Sequence, residues 1–282
     1  MTSPDPLCLP YNQRSALLTG PTVSLSLPQS SMPTPHTIPS LPRRMLFAFS
    51  RLAASRLSVT DGVTTTTTTT TTPPSSRPTT PPTCRTITLP TDACSIGSLE
   101  YLVLWMKASC RSRSAVPIVP AAPEEPRPDR WRWVAGALRA ARALDAPEAE
   151  RLLVAWVKRR LAGAAPGADA FGAAVEALEG VDGRLVQVCL QSGARFAQLG
   201  RLEERAEIEA WLRAERPGLW ELWEVFGERA EVGRELMEER RKVAVKRLRE
   251  KARVENDMVE ERMAREAEKR LERQRRLAGL IE

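Results

Sequence analysis

Side chains suited to catalysis are few in this sequence of 282 residues. The single histidine is His36, which lies in a segment rich in Pro, Ser and Thr. Neighbouring carboxylates, Glu203 with Glu204 and Glu238 with Glu239, occur in charged stretches with helical character. Adjacent residues of a helix point in different directions, so such pairs do not form an acid and base facing one substrate. Motifs for phosphate loops, zinc proteases and serine hydrolases are missing. We predict that the protein is not an enzyme and holds no cofactor.

The cysteines do not form a metal-binding pattern. No CxxC pair occurs and His36 is the single histidine, whereas a structural zinc site needs four Cys or His ligands at short spacings. An odd number of cysteines without a secretory signal argues against a disulfide framework. We therefore expect reduced thiols and no metal site. The five cysteines are Cys8, Cys84, Cys94, Cys110 and Cys189.

The chemistry that the sequence does offer is ionic. Residues 240–253 carry eight basic side chains and one acid, Glu250, which could neutralise several phosphates without reading base sequence. Residues 255–261 are acidic, and alternating blocks of charge are typical of a solvated helix. The candidate phosphate contacts are Arg240, Arg241, Lys242, Lys246, Arg247, Arg249, Lys251 and Arg253.

Two halves of different composition must position these residues. Residues 1–126 are rich in Pro, Ser and Thr, whereas residues 127–282 are rich in Ala, Leu, Glu and Arg. The net charge of +7 is spread over both halves, so it permits weak attraction to polyanions without marking a basic domain. We predict a mainly α fold with a disordered N-terminal half, in which the second half supplies the core.

Residues 1–93 are predicted to be a disordered tail and low-complexity linker. Nine consecutive threonines begin at Thr64, and a Pro-rich segment follows them. β-Branched Thr and donor-lacking Pro disfavour helices, and too little apolar surface is present to offset the entropy of ordering. Residues 94–128 contain a short apolar segment, YLVLWM at 101–106, before a second Pro-rich linker. That segment is too short to span a bilayer; we expect it to dock on the helical half rather than serve as an exposed recruitment motif.

A possible targeting segment lies at residues 43–59. It contains Arg and Ser but no acid, the composition of a mitochondrial transit peptide, although it begins far from the N-terminus. Initiation at Met45 would bring it to the N-terminus. We predict an intracellular protein, mitochondrial if translation or processing exposes residues 45–59 and otherwise nuclear or cytoplasmic. A basic disordered tail is the alternative. On a helix, one face of the segment would gather Leu46, Phe49, Ala53 and Leu57.

Residues 129–226 are predicted to form a helical domain. Apolar residues recur there with the period of an α-helix, and Pro and Gly mark the boundaries. In Asp145-Ala146-Pro147, Asp would cap the next helix and Pro would fit its first turn. Short loops indicate antiparallel neighbours, either in an irregular bundle or in a short helix-hairpin array. The predicted helices cover about 129–144, 147–163, 169–180, 183–199 and 201–215, and a sixth starts at about 219.

Six of the seven tryptophans fall on the apolar stripes of these predicted helices. A ligand-binding or base-stacking platform would group aromatic and basic side chains on one surface. We therefore interpret the tryptophans as core residues. They are Trp131, Trp133, Trp156, Trp211, Trp220 and Trp223.

Residues 227–282 are predicted to continue the sixth helix as a long, charged rod. Only Gly227 and Gly233 interrupt it, and acid–base pairs four residues apart support it. Those pairs are Glu238–Lys242, Glu261–Arg265, Glu266–Arg270 and Glu272–Arg276.

The apolar residues of this rod do not keep a heptad register. Leu248 and Val259 are 11 residues apart, and Met263 and Leu271 are 8 apart. A dimer seam needs apolar residues every 3.5 positions on average. We predict a weak coiled coil or one that a partner completes.

The sequence predicts a non-enzymatic helical interaction or scaffold subunit of a larger complex. It would bind a protein partner through the bundle and the long helix. The alternative is an RNA- or DNA-associated protein, such as a mitochondrial ribonucleoprotein component, that contacts phosphates through residues 240–253. A helix that is merely solvated is the third interpretation. The oligomeric state stays open.

Overall fold

The computed structural model describes residues 5–61, 85–119 and 128–278. Within these ranges the chain is mainly helical, with ten α-helices and a three-stranded sheet. The predicted fold class is thereby confirmed, including the long C-terminal helix. The chain divides into two compact units, residues 1–224 and 225–282.

The described elements follow in chain order after a short 3₁₀ turn, Pro6–Cys8. The first part of the chain contains α1 (Tyr11–Ala16), β1 (Thr22–Leu27), β2 (His36–Pro42), α2 (Arg43–Phe49), α3 (Arg51–Asp61), β3 (Arg85–Thr88) and α4 (Ile96–Arg111). The second part contains α5 (Pro128–Ala143), α6 (Pro147–Gly163), α7 (Ala168–Glu179), α8 (Gly183–Gln198), α9 (Arg205–Glu215) and α10 (Pro217–Ala278).

The sheet has the strand order β2-β1-β3, with β1 antiparallel to β2 and parallel to β3. The sequence TVSLSL of β1 alternates apolar and hydroxyl residues, the period of a strand. Val23, Leu25 and Leu27 are almost fully buried, and Ile87 of β3 lies opposite Leu25. The structure therefore differs from the expected disorder in this part of the N-terminal half. Apolar side chains of one strand reach partners more than fifty residues away in sequence.

The predicted targeting segment forms α2 and α3, and the predicted apolar face lies in the core. Between the two helices, the buried Ser50 hydroxyl donates to the backbone oxygen of Leu144 and accepts from the backbone N–H of Ala53. The backbone N–H of Arg51 donates to the oxygen of Asp145 at 2.9 Å. These bonds attach α2 and α3 to the turn between α5 and α6. The buried face comprises Leu46, Phe49, Ala53 and Leu57.

The apolar segment YLVLWM lies in α4, and its predicted docking on the helical half is confirmed. The Tyr101 ring meets the ring of Trp133 on α5 edge to face, with centroids 4.6 Å apart. Trp105 is buried and meets Phe49 in the same way at 5.7 Å. The Tyr101 hydroxyl donates to the backbone oxygen of Ile118 at 2.8 Å, so the first residues of the following linker pack on α4 as well. The threonine run of the other linker lies outside the described residues.

Helix α5 occupies the centre of the first unit and packs against α4, α6 and α7. Leu138 and Leu144 near its C-terminal end are fully buried. The predicted cap at Asp145 is wrong. This residue has a φ of 47°, and Ala146, which has no capping side chain, precedes α6. Asp145 instead lies in the turn between α5 and α6, and its backbone oxygen accepts a hydrogen bond from the N–H of Arg51 at the start of α3. A later start than predicted is found for α9, and Leu202 is buried in the turn before it.

The tryptophans confirm the core interpretation only in part. Trp131 and Trp223 are buried, whereas the other four of the helical half are partly exposed. The fully buried Phe171 of α7 lies 5.6 Å from the Trp223 ring at the start of α10. Gly193 of α8 permits this approach, because a Cβ there would lie 2.7 Å from both rings. The partly exposed rings are Trp133, Trp156, Trp211 and Trp220.

Candidate interaction surface on the C-terminal helix

The described part of the second unit is the continuation of α10, which we call distal α10 (residues 225–278). At 1.5 Å per residue it is about 80 Å long. Every side chain from residue 231 to residue 273 is exposed. Burial within this chain therefore contributes almost nothing to holding this stretch helical.

Local interactions support distal α10 instead. The predicted pair Glu261–Arg265 is present, with Nη2 2.6 Å from Oε1. Two further pairs at the same spacing join Lys251 to Glu255 and Arg262 to Glu266, at 3.8 and 3.4 Å. Each contributes about 0.2–0.5 kcal/mol to an exposed helix. Residues 264–276 are Ala, Leu, Glu, Gln, Lys and Arg, all of which have high helix propensity.

The eight predicted phosphate contacts are all exposed on distal α10, but they do not form one surface. At 100° per residue, five of them share an arc of about 140°, which we call the basic face. The other three, Arg240, Arg247 and Lys251, lie on the opposite side of the helix. The basic face consists of Arg241, Lys242, Lys246, Arg249 and Arg253.

The basic face is short. It extends for about 18 Å along the helix, and Val245, 40% exposed, lies between its side chains. Glu238 precedes it on the same face, and Glu260 follows it. A patch of this length could contact a few successive phosphates of one nucleic-acid strand.

An apolar stripe follows the opposite side of the helix. Its members lie within an arc of about 80°, and each is 51–64% exposed. Their successive spacings are 4, 7, 11 and 4 residues, which are steps of a straight α-helix. A search for heptads misses this stripe, and a search at the helical period would have found it. The stripe consists of Val232, Leu236, Val243, Val254 and Met258.

In the part of the chain that the structure describes, groups with reactive chemistry are either buried or form exposed pairs, such as the Cys8 thiol, which donates to Oδ2 of Asp5. Burial raises the pKa of the Cys94 and Cys110 thiols to about 11 and that of Cys189 to about 12, so all three stay protonated at neutral pH. The Nε2 atom of His36 lies 3.1 Å from Oε1 of Glu100, an exposed pair. Across residues 5–61, 85–119 and 128–278, no cluster of three His, Cys, Asp or Glu side chains could hold a metal ion. Cys84 lies outside these ranges.

In the described residues, no helix combines the length and the apolar character needed to cross a bilayer. No family model, curated protein or solved structure matches the chain. Function must therefore be inferred from the exposed surfaces of distal α10.

Proposed function

We propose that the protein is a non-enzymatic interaction subunit of a larger complex. It binds a protein partner through distal α10, and the helical bundle of the first unit provides a second contact surface. The apolar stripe carries the proposal, because five Val, Leu and Met side chains in line are left half exposed on one helix. Full burial of such a side chain contributes about 1.5–3 kcal/mol of stabilising free energy. Because these side chains are half exposed, a partner that covers them could supply the rest of that free energy.

The energetics of long helices support the same proposal. Helices in proteins gain most of their stability from packing of an apolar face, whereas intrinsic propensity contributes less. Distal α10 has such a face, and the first unit buries comparable residues almost completely, as at Val134 and Leu138. A partner that covers the stripe would add the missing packing.

Capture of partners by the full-length chain tests this function. In the stripe variant, Val243, Val254 and Met258 are replaced by Gln. The control variant carries Gln at Val245, Leu248 and Val259, which are also exposed but lie on other faces. We expect the wild type and the control to retain the same proteins after nuclease treatment, and the stripe variant to lose them. An unchanged set of proteins on the stripe variant would reject the proposal.

A second candidate function is association with RNA or DNA, which the basic face favours. Replacement of Arg241, Lys242 and Lys246 by Glu should abolish binding of a labelled RNA or DNA oligonucleotide. The same change at Arg240, Arg247 and Lys251 on the opposite side should weaken it only slightly. Fluorescence anisotropy at several salt concentrations measures both effects, and affinity should fall steeply with salt. Equal losses in the two variants would exclude a contact through one face.

We further propose an intracellular location, mitochondrial if residues 45–59 are exposed to the import machinery. Met45 and Phe49 belong to the core of the folded first unit, so an import receptor could bind this segment only before the chain folds. A fluorescent protein fused to residues 45–80 should then reach mitochondria. A diffuse cytosolic signal would leave the nucleus or cytoplasm as the location.

A further inference from the structure

An 11-residue repeat runs along distal α10. A glutamate followed at once by Arg or Lys recurs five times at this interval, and every one of these side chains is exposed. The acidic members form one column on the helix surface and the basic members a second one. The pairs are Glu228–Arg229, Glu239–Arg240, Glu250–Lys251, Glu261–Arg262 and Glu272–Arg273.

The apolar stripe follows the same repeat. Val232, Val243 and Val254 occupy its fifth position, and Leu236 and Met258 occupy its ninth in the first and third copies. Eleven residues make slightly more than three helical turns, so equivalent positions drift by only about 20° per repeat. Columns with this period stay aligned along a nearly straight helix, and two helices that pair through them wind gently to the right.

The two charged columns lie on opposite edges of the apolar stripe. Successive residues are about 100° apart around a helix, and the fifth and ninth positions fall between the first and the second. In the second repeat, for example, Val243 lies between Glu239 on one edge and Arg240 on the other. The stripe is therefore acidic along one edge and basic along the other in each repeat.

We propose that distal α10 pairs in parallel orientation with distal α10 of a second copy of this chain. A twofold axis parallel to the helices places the acidic column of each copy against the basic column of the other, on both sides of the joined stripes. An antiparallel arrangement would place acid against acid and base against base. The inference rests on the proposed function and names the partner that covers the stripe.

A second line of apolar residues does not have this self-complementary pattern. Met237, Leu248 and Val259 occupy the tenth position of the repeat and are also exposed. The basic column borders this line on one side. On the other side no acidic column follows the repeat, since the seventh position holds Arg234, Val245 and Asn256. Charge complementarity therefore selects the stripe.

The ion pairs within distal α10 do not oppose this pairing. Lys251 and Arg262 of the basic column contact Glu255 and Glu266, and Glu261 of the acidic column contacts Arg265, but these contacts are exposed. Exposed pairs contribute little to stability, so these side chains can turn to oppositely charged groups of a partner at small cost.

Arg247 is the exception in the stripe, because it occupies the ninth position in the second repeat. In a parallel pair in register it meets Arg247 of the other copy. A charged residue at one seam position weakens a coiled coil and can set its register. Replacement by Leu should therefore strengthen self-association. The seam covers residues 232–258, about 40 Å.

Sedimentation equilibrium of the full-length chain tests self-association. The wild type should form dimers. In one variant, Lys replaces Glu228, Glu239, Glu250 and Glu261, so that the stripe of each copy has two basic edges. We expect at least about 100-fold weaker dimerisation, because each facing pair becomes repulsive. The converse variant, with Glu at Arg229, Arg240, Lys251 and Arg262, should also be monomeric. An equimolar mixture of the two variants should form a 1:1 heterodimer.

Disulfide formation tests the orientation. In a background with Cys8 and Cys84 replaced by Ser, Val232→Cys should cross-link with its own copy under mild oxidation. In an antiparallel pair Val232 would lie near residue 258, so only a mixture of Val232→Cys and Met258→Cys chains would cross-link. That pattern would overturn the parallel orientation.

The two proposals fail in different ways. A wild type that is monomeric at every concentration overturns self-association. The function proposed above would still stand if the stripe variant then lost other proteins in the capture experiment. A dimer that persists unchanged in both charge variants would show that the charged columns do not direct pairing, and it would also overturn the inference.

Discussion

The bundle of the first unit and distal α10 share the same kind of helical apolar pattern, yet the apolar residues are buried in the bundle and exposed in distal α10. Leu138 in α5 is fully buried, whereas Leu248 in α10 is 67% exposed. Both belong to helices in which apolar residues recur at helical spacing. The pattern thus predicts the helix and its apolar face. What covers that face depends on the rest of the chain or on a partner.

The charged residues of the two regions also act over different distances. In the first unit, Arg142 of α5 contacts Glu150 of α6 at 2.8 Å and Asp182 before α8 at 2.5 Å, so one guanidinium links three elements. In distal α10 the pairs join residues three or four apart on one helix. Charges thus contribute to tertiary structure in the bundle, whereas in distal α10 they support the helix itself.

The largest difference in stability should appear when one leucine of each region is replaced by Ala. Leu138→Ala leaves a cavity in a fully packed site, so we expect a loss of about 2–5 kcal/mol in the free energy of unfolding. Leu248→Ala should change it by less than about 0.5 kcal/mol, because this side chain packs on little. Urea unfolding followed by tryptophan fluorescence measures the effect of Leu138→Ala, since all seven tryptophans belong to the first unit, and thermal melting of the helical circular dichroism signal measures the effect of Leu248→Ala. Similar losses in the two variants would contradict the comparison.

Glycine substitutions should change stability in opposite directions. At Gly193 a methyl group would meet Phe171 and Trp223 at 2.7 Å, so Gly193→Ala should destabilise the first unit by about 1–3 kcal/mol. At Gly233 nothing lies within 4 Å. Gly233→Ala should raise the stability of distal α10 by about 1 kcal/mol through helix propensity.

Urea unfolding followed by fluorescence serves for Gly193→Ala, and thermal melting of the helical circular dichroism signal serves for Gly233→Ala. A stabilised Gly193→Ala protein would show that α8 can move away from the two rings. An unchanged melting curve for Gly233→Ala would show that helix propensity does not limit distal α10.

The sequence predicts α5–α10 well because their apolar period and the Pro and Gly boundaries are local signals. Pro147 and Pro217, for instance, stand at the first positions of α6 and α10. The sheet and the packing of α2 and α3 on the bundle were missed, since their stability comes from partners distant in sequence. The pairing of Leu25 with Ile87 is such a contact. The alternation in TVSLSL was an available signal for β1, but the abundance of Pro, Ser and Thr around it favoured a prediction of disorder.

The candidate surface was predicted in part. The basic residues lie on the predicted helix, but linear clustering in residues 240–253 concealed their division between opposite faces. Three of the eight lie in or beside the apolar stripe, where they would meet a protein partner. The 11-residue interval between Leu248 and Val259 does not fit a heptad coiled coil, yet 11 residues is itself a helical repeat.

The smallest expected difference concerns two acids, Asp182 and Glu261. Burial acts to raise the pKa of Asp182, but hydrogen bonds from Arg142 and from the backbone N–H of Arg184 outweigh it and hold this pKa below its usual range. Asp182 also caps α8, accepting from the Arg184 N–H at 2.8 Å. Asn can still cap α8 but loses the ionic hydrogen bond with Arg142, so Asp182→Asn should cost about 1 kcal/mol at pH 7. Glu261→Gln, which affects one exposed pair, should cost no more than about 0.5 kcal/mol.

The dependence on pH identifies the origin of the Asp182 effect. Because the carboxyl has a lower pKa in the folded chain than in the unfolded chain, its ionised form stabilises the fold above about pH 4. That contribution is lost as the pH falls through the folded-state pKa. The difference in unfolding free energy between wild type and Asp182→Asn should thus be constant near neutrality and shrink below pH 4. A difference that stays constant into acid would mean that the cap and the contact with Arg142 do not depend on the charge of Asp182.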